Sequence, residues 1–442
     1  MNVATGSLSP SQRHGRGRGL VALCFVLLIT GLFNNPPWKG YSSERRIEFN
    51  TEPVRIAASL QRDGEFANPF ATPTGSTAQI APGLPFLQYL ILRLLGDGSG
   101  GWLAIRCLAA LALSCQLALL PWLAPQFGYS VQKGVLASVF GLLVKPGLEE
   151  QWEAHIAGLA AILLTAAACI WLKRTGTTAW AWTVGVLAGL AACFNPVIGA
   201  VYLAWVIGAG RSSGFLNRRV LPLWLLPLLI LAPWSLRNAV VMGGLVPVRD
   251  NVGLELYVSF NDCARYGFRE NMRISCIQNF HPNSSIEEAL AVGSLGEYRY
   301  NRDRLRRAVT WASLHPARAA GLTAQRIWYF WFPSEYGLQG YGQQRIRMLA
   351  LHALTITSFF GVYCSLRRRR PSDFYILSWV VIFPLIYYLV QFDYRYRYPI
   401  LWATWLLAAD GILLAIASIG ATSFLFRRAG DVRHAAGSML SS

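Results

Sequence analysis

The sequence predicts an all-α polytopic membrane protein, and three observations predict it. Hydrophobic residues make up 54% of the chain and charged residues only 14%, where a water-soluble domain carries roughly a quarter. Apolar runs long enough to cross a hydrocarbon core of about 30 Å recur along the sequence. Basic residues, the source of a formal net charge of +18, split between the ends of those runs and the segment from Arg237 to Arg347 instead of massing in one stripe. That distribution argues against a nucleic-acid partner, which needs clustered Lys and Arg, and fits membrane lipids.

The first run, Gly19 to Phe33, follows Arg13, Arg16 and Arg18 and lacks a small-x-small cleavage site. It reads as an uncleaved anchor with its amino end in the cytoplasm. A first outer loop is expected over 36–101. It is rich in turn formers (Asn68-Pro69, Thr72-Pro73-Thr74-Gly75), and Leu84–Leu95 is apolar but too short to span, which suits an interfacial helix.

Further spans are expected at Trp102–Trp122, Gly134–Leu148, His155–Leu172, Trp180–Phe194, Pro196–Gly210 and Leu221–Ser235. Met348–Leu366, Phe374–Gln391 and Pro399–Ile419 follow, making about ten with the anchor. Every connection then placed inside is basic: Lys133, Lys173-Arg174, Arg211 with Arg218-Arg219, and Arg367 to Arg370. The tail carries Arg427, Arg428 and Arg433. By the positive-inside bias both termini are cytoplasmic, as in a multi-pass protein of a bacterial inner membrane.

The chain divides into a transmembrane module (1–235), an extracytoplasmic loop region (236–347), and C-terminal helices with a cytoplasmic tail (348–442). The large loop should be partly helical at Ile286–Leu295 and Arg302–Leu314, with an aromatic belt at Ile327–Phe332. Six of the eight cysteines lie in or beside spans, as small packing residues. Cys263 and Cys276 lie in the outer loop, where an oxidising compartment favours a disulfide.

No phosphate-binding glycine loop, nucleophile elbow or zinc-protease helix is present. No Cys/His cluster has metal-ligand spacing, so no metal site is assigned and dependence on a divalent metal stays open. The chemistry-bearing residues are carboxylates and arginines on the outer side. Glu52 and Arg55 share a helix face just after the anchor, and Glu149-Glu150-Gln151-Trp152-Glu153 sits at an outer turn with Lys145 one turn deeper. Pro233-Trp234-Ser235-Leu236-Arg237-Asn238, Val246-Pro247-Val248-Arg249 and Gly253-Leu254-Glu255-Leu256 follow. Then come His281-Pro282, Gly296-Glu297-Tyr298, His315-Pro316, Arg326 to Trp331, and Tyr394-Arg395-Tyr396-Arg397-Tyr398-Pro399. Taken singly, each has a plain explanation: a surface ion pair, a solvated span end, or an arginine anchoring a lipid headgroup.

Taken in order, these patches resemble the GT-C superfamily of membrane glycosyltransferases, family 39 type, in its bacterial branch. The resemblance covers nearly the whole chain and departs at Thr51, where many relatives have Asp, and at Tyr257-Val258-Ser259-Phe260-Asn261. It implies a GT-C-like fold and a polyprenyl-phosphate-linked sugar donor used at the outer face. An acceptor hydroxyl on a lipid or glycan would attack with inversion, helped by a first-loop carboxylate.

By the same resemblance Glu52 and Glu153 take the catalytic positions. Arg55, Lys145, Arg237, Asn238, Glu255, Glu297, Tyr298, Arg326, Arg395 and Arg397 take substrate-binding ones. The alternative is a transporter or flippase of lipid-linked glycans, or a non-catalytic envelope-glycan assembly protein. For transport, Asp410 inside the last span is the candidate ionisable group.

Overall fold

The computed structural model describes residues 10–38, 51–148, 151–174, 176–334 and 344–418. Residues 39–50, Glu149, Glu150 and the tail arginines lie outside the described residues. Among the described residues there is no β-strand, only the isolated bridges Ala67–Ser76 and Gly267–Phe392.

Six helical segments are long and apolar enough to cross a membrane. They are α1 (Pro10–Asn34), α4 (Ser99–Leu123), α6 (Ala154–Lys173), α9 (Leu221–Met242), α16 (Gln344–Arg368) and α18 (Tyr394–Ser418). Packed among them are α5 (Val131–Val144), α7 (Thr178–Phe194), α8 (Pro196–Ser213) and α17 (Asp373–Val381). α4, α6 and α18 are inside over more than half their spans, while α1 and α9 bury only 11% and present the rest to lipid. The innermost layer is aromatic: Trp379, Trp402 and Trp405 are fully buried, and Trp379 Nε1 donates to Thr165 Oγ1 at 2.8 Å.

Several boundaries differ from the hydropathy reading for local reasons. α5 ends at Val144 and not Leu148, because Lys145 turns left-handed (φ 49°) ahead of Pro146. The span expected at Phe374–Gln391 is α17 followed by a 3₁₀ turn, Phe383–Tyr388, with Pro384 near the break. α18 opens as a 3₁₀ segment, Tyr394–Ile400, containing Pro399. α9 runs past Ser235 to Met242, where Gly243 (φ 68°) ends it, because Arg237 and Asn238 find partners in the outer loops.

The inner end is tied by charge. Asp410 is fully buried on α18, with Lys133 Nζ 2.6 Å from one carboxylate oxygen and Arg368 engaging both. Lys173 donates to the Pro125 carbonyl and Arg370 to those of Phe127 and Gly128. The basic connections therefore meet at one end of the bundle.

The other end carries the two large loops. In the first, α2 (Glu52–Asp63) has Glu52 and Pro53 in its opening turn. Gly64 closes it in the left-handed region (φ 73°), donating to the Leu60 carbonyl. α3 (Gly83–Leu95) follows. The second is built of six helices joined by turns: α10 (Val252–Ser259), α11 (Phe268–Arg273), α12 (Cys276–Phe280), α13 (Ile286–Leu295), α14 (Glu297–Leu314) and α15 (Pro316–Trp331). A Cβ at Gly253 would sit 1.9 Å from the Asn301 carbonyl oxygen, so only glycine lets α10 lie this close to α14. Phe70 of the first loop enters the apolar core formed by Leu254, Val258, Val292 and Tyr300 of the second. The two loops fold as one cap.

Candidate active site

The cap and the bundle enclose a cavity of about 510 Å³, a size suited to a small-molecule or headgroup ligand. Five residues singled out in the sequence line it: Glu52, Arg55, Glu153, Glu255 and Arg395. They come from α2, the turn before α6, α10 and the start of α18, so the fold gathers what the chain separates.

Glu52 is only 7% exposed. Burial raises its carboxyl above the ordinary range, against its own backbone N–H and the charges of Arg395, Arg55 and Arg249. Its position in the first turn of α2 also favours the anion. Asn283 Nδ2 donates to Glu52 Oε1 at 3.0 Å, and His281 Nε2 lies 3.9 Å from the same oxygen.

The surrounding guanidiniums are each held by something other than Glu52. Arg55 donates to Asn283 Oδ1 and, at 3.4 Å, to the Pro69 carbonyl. Arg249 Nε donates to the Gln79 carbonyl at 2.8 Å. Arg395 lies 3.5 Å above the Trp152 ring and 3.4 Å from Asp393. Glu153 caps the start of α6, its carbonyl accepting from Ala157 N–H at 2.7 Å. Glu255 Oε1 accepts from Asn251 Nδ2 at 3.3 Å.

The remaining sequence-derived candidates are placed elsewhere. Arg237 donates to the carbonyls of Thr77 and Phe66 at 2.7 and 2.9 Å, and Asn238 to that of Val246 at 3.1 Å. Glu297 accepts from Ala78 N–H at 2.7 Å and from the Thr77 hydroxyl. Arg237 and Glu297 clamp the first loop onto α9 and α14, and Asn238 secures the segment after α9. Tyr298 packs against Gly244.

Arg326, fully buried, donates to the carbonyls of Ser259 and Leu389 at 2.5 and 2.9 Å. Arg397 donates to that of Trp331 at 2.7 Å and to Thr355 Oγ1 at 2.8 Å. Both bind chain segments together, and neither lines this cavity. Lys145 is half-buried at the end of α5 and does not line the cavity either. Cys263 and Cys276 form a disulfide, Cα atoms 5.7 Å apart.

Arg249, His281 and Asn283 complete the cavity wall. Arg249 and His281 stand in the Val-Pro-Val-Arg and His-Pro patches, whose order was visible. That His281 reaches Glu52 across the chain was not, because nothing local encodes that contact. Among the described residues no three His, Cys, Asp or Glu side chains form a metal-holding group. Glu52 is surrounded instead by an amide, an imidazole and guanidiniums.

No protein-family model and no curated protein matches the chain. Among solved structures, it is similar to the oligosaccharyltransferase of Archaeoglobus fulgidus, crystallised with zinc and sulfate. The TM-score is 0.52 at 14% identity, over 92% of this chain and 51% of that one. The chain thus spans about half the length of that enzyme. At this identity the likeness concerns architecture, and it is one with the helix pattern above: the fold is GT-C-like, that of a multi-pass membrane protein.

Proposed function

We propose that this chain is a membrane glycosyltransferase that moves a sugar from a polyprenyl-phosphate donor to an acceptor hydroxyl, with inversion at the anomeric carbon. One observation carries the reading: a buried first-loop carboxylate, Glu52, shares a cavity with Arg55, Arg249 and Arg395. The carboxylate takes the proton from the attacking hydroxyl. The guanidiniums hold the departing lipid phosphate, whose negative charge they match. Glu153 orients the acceptor from the opposite turn.

The basic connections at the far end of the bundle support a cytoplasmic placement of that end. The cavity then opens on the extracytoplasmic side of a bacterial inner membrane, where lipid-linked donors replace nucleotide sugars. The parts expected at 1–235, 236–347 and 348–442 fit this reading: the first supplies Glu52 and Glu153, the second the cap, the third Arg395.

Polyprenyl-phosphate hexoses and pentoses, presented singly with purified protein in nanodiscs, test it. Wild type should convert at least one donor, with inversion seen by NMR of the product. Glu52→Gln should reduce transfer by about 10²- to 10⁴-fold without lowering the yield of folded protein. Full transfer by that variant removes Glu52 as the base, and no donor consumed by wild type removes the activity.

A further inference from the structure

We propose that His281 and Asn283, delivered by the large loop, are positioning residues that fix Glu52 in its working orientation. The inference rests on Glu52 acting as the base. The contact joins positions separated by 231 residues, so it exists only when the two loops have closed into the cap.

The Asn283 side chain settles its own orientation. Its oxygen accepts from Arg55 and its Nδ2 donates to Glu52 Oε1 at 3.0 Å. Turned over, it would set its NH₂ against a guanidinium and its oxygen against a carboxylate, both repulsive. Arg55 is thereby joined to Glu52 through a neutral amide, which aligns the carboxylate without neutralising it.

His281 acts on the same oxygen. Its Nδ1 accepts from the Asn283 backbone N–H at 3.0 Å, so the neutral ring carries its proton on Nε2. That Nε2–H faces Glu52 Oε1 from 3.9 Å. Burial lowers the imidazole's pKa, as does Arg55, while Glu255 and Glu288 oppose them. The ring thus stands beside Glu52 as a neutral dipole, its Nε2–H beyond direct hydrogen-bond distance. It is held edge-to-face with Phe70, centroids 5.9 Å apart.

The delivery is anchored at both ends. The disulfide from Cys263 enters at Cys276, the first residue of α12. His281 closes that helix, its N–H bonded to the Ile277 carbonyl at 3.0 Å. Ser285, two residues beyond Asn283, caps α13 by accepting from Glu288 N–H at 3.2 Å. The His-Pro-Asn segment is therefore a turn, closed by the Ser284 and Ser285 N–H groups on the His281 carbonyl and held between two fixed points beside Glu52.

The test uses Asn283→Ala, His281→Ala and His281→Gln in full-length protein in nanodiscs, with the donor consumed by wild type. Loss of the Asn283 donor, or of the imidazole dipole beside the same oxygen, should lower kcat about 10- to 100-fold in the two alanine variants, with KM for the sugar donor within about twofold. Gln can still offer an N–H, so His281→Gln should recover most of the kcat lost in His281→Ala.

An activity-independent arm follows the Glu52 carboxyl by infrared titration, its band identified by disappearance in Glu52→Gln. Removing either side chain should move that titration upward, with Arg55, Arg249 and Arg395 still in place. An unmoved titration in both alanine variants overturns the proposal, as does a uniform loss in all three variants that tracks their folded yield. If Glu52→Gln transfers sugar normally, the base assignment falls, while the infrared arm still reports whether His281 and Asn283 hold Glu52.

Discussion

Two buried carboxylates, one at each end of the bundle, are both surrounded by cations and are held in opposite ways. Asp410 is gripped directly by Lys133 and Arg368, in a place with no exposure at all. Glu52 is touched by an amide, while its guanidinium neighbours bind carbonyls, a ring and Asp393 and act on it through space. The first arrangement spends the charges on each other and fixes three helices. The second keeps an anion and a positive wall facing one cavity. Burial alone does not separate these two carboxylates; what their neighbours are bonded to does.

The largest effects should separate the two ends cleanly. Glu52→Gln keeps shape and should lose transfer while thermal unfolding stays near wild type. Asp410→Ala leaves two cations buried against each other and should destabilise by about 3–5 kcal/mol, visible as lost folded yield and a lower Tm. If Asp410→Ala folds normally with unchanged Tm, the inner cluster is not the structural tie described. Next in size, Arg395→Ala should raise KM for the donor about tenfold, with kcat changed less, because Arg395 is assigned to the lipid phosphate. An effect on kcat alone would place Arg395 with the proton transfer instead.

How much of this was legible beforehand follows from what sequence patterns encode. Helix content and the basic connections were readable, because hydropathy and the positive-inside bias act locally. Glu52, Arg55, Glu153, Glu255 and Arg395 were found as members of ordered patches. The same reasoning also swept in Arg237, Glu297, Arg326 and Arg397. A motif cannot tell an arginine that lines the cavity, such as Arg395, from one that ties chain segments together away from it, such as Arg326, since both sit in the same interfacial setting. Asn283 was missed altogether: an asparagine after His-Pro reads as a turn former, and its role depends on a contact 231 residues away.

The smallest effect concerns the clamp that seats the first loop, and there pH is the probe. Burial pushes the Glu297 carboxyl up to about 8, Asp250 adding to the rise while Thr77, Ala78 and Arg237 oppose it. Asp250 is itself pushed up to about 7 by burial, against Arg302. Both groups therefore keep a proton in the folded cap at pH values where the unfolded chain has released it. The folded state binds more protons, so stability falls as pH rises.

That contribution is complete below the ordinary Glu and Asp values of 4.5 and 3.8 and is lost as pH climbs through about 7 and about 8. Hydrogen exchange over residues 66–80 should accordingly quicken from about pH 4 to about pH 8 and level off above that, beyond the intrinsic rate change. Glu297→Gln keeps an acceptor for Ala78 N–H and cannot ionise, so it should flatten most of that slope. Asp250→Asn should remove the remainder. A slope that survives in the double variant would assign the pH response to other groups.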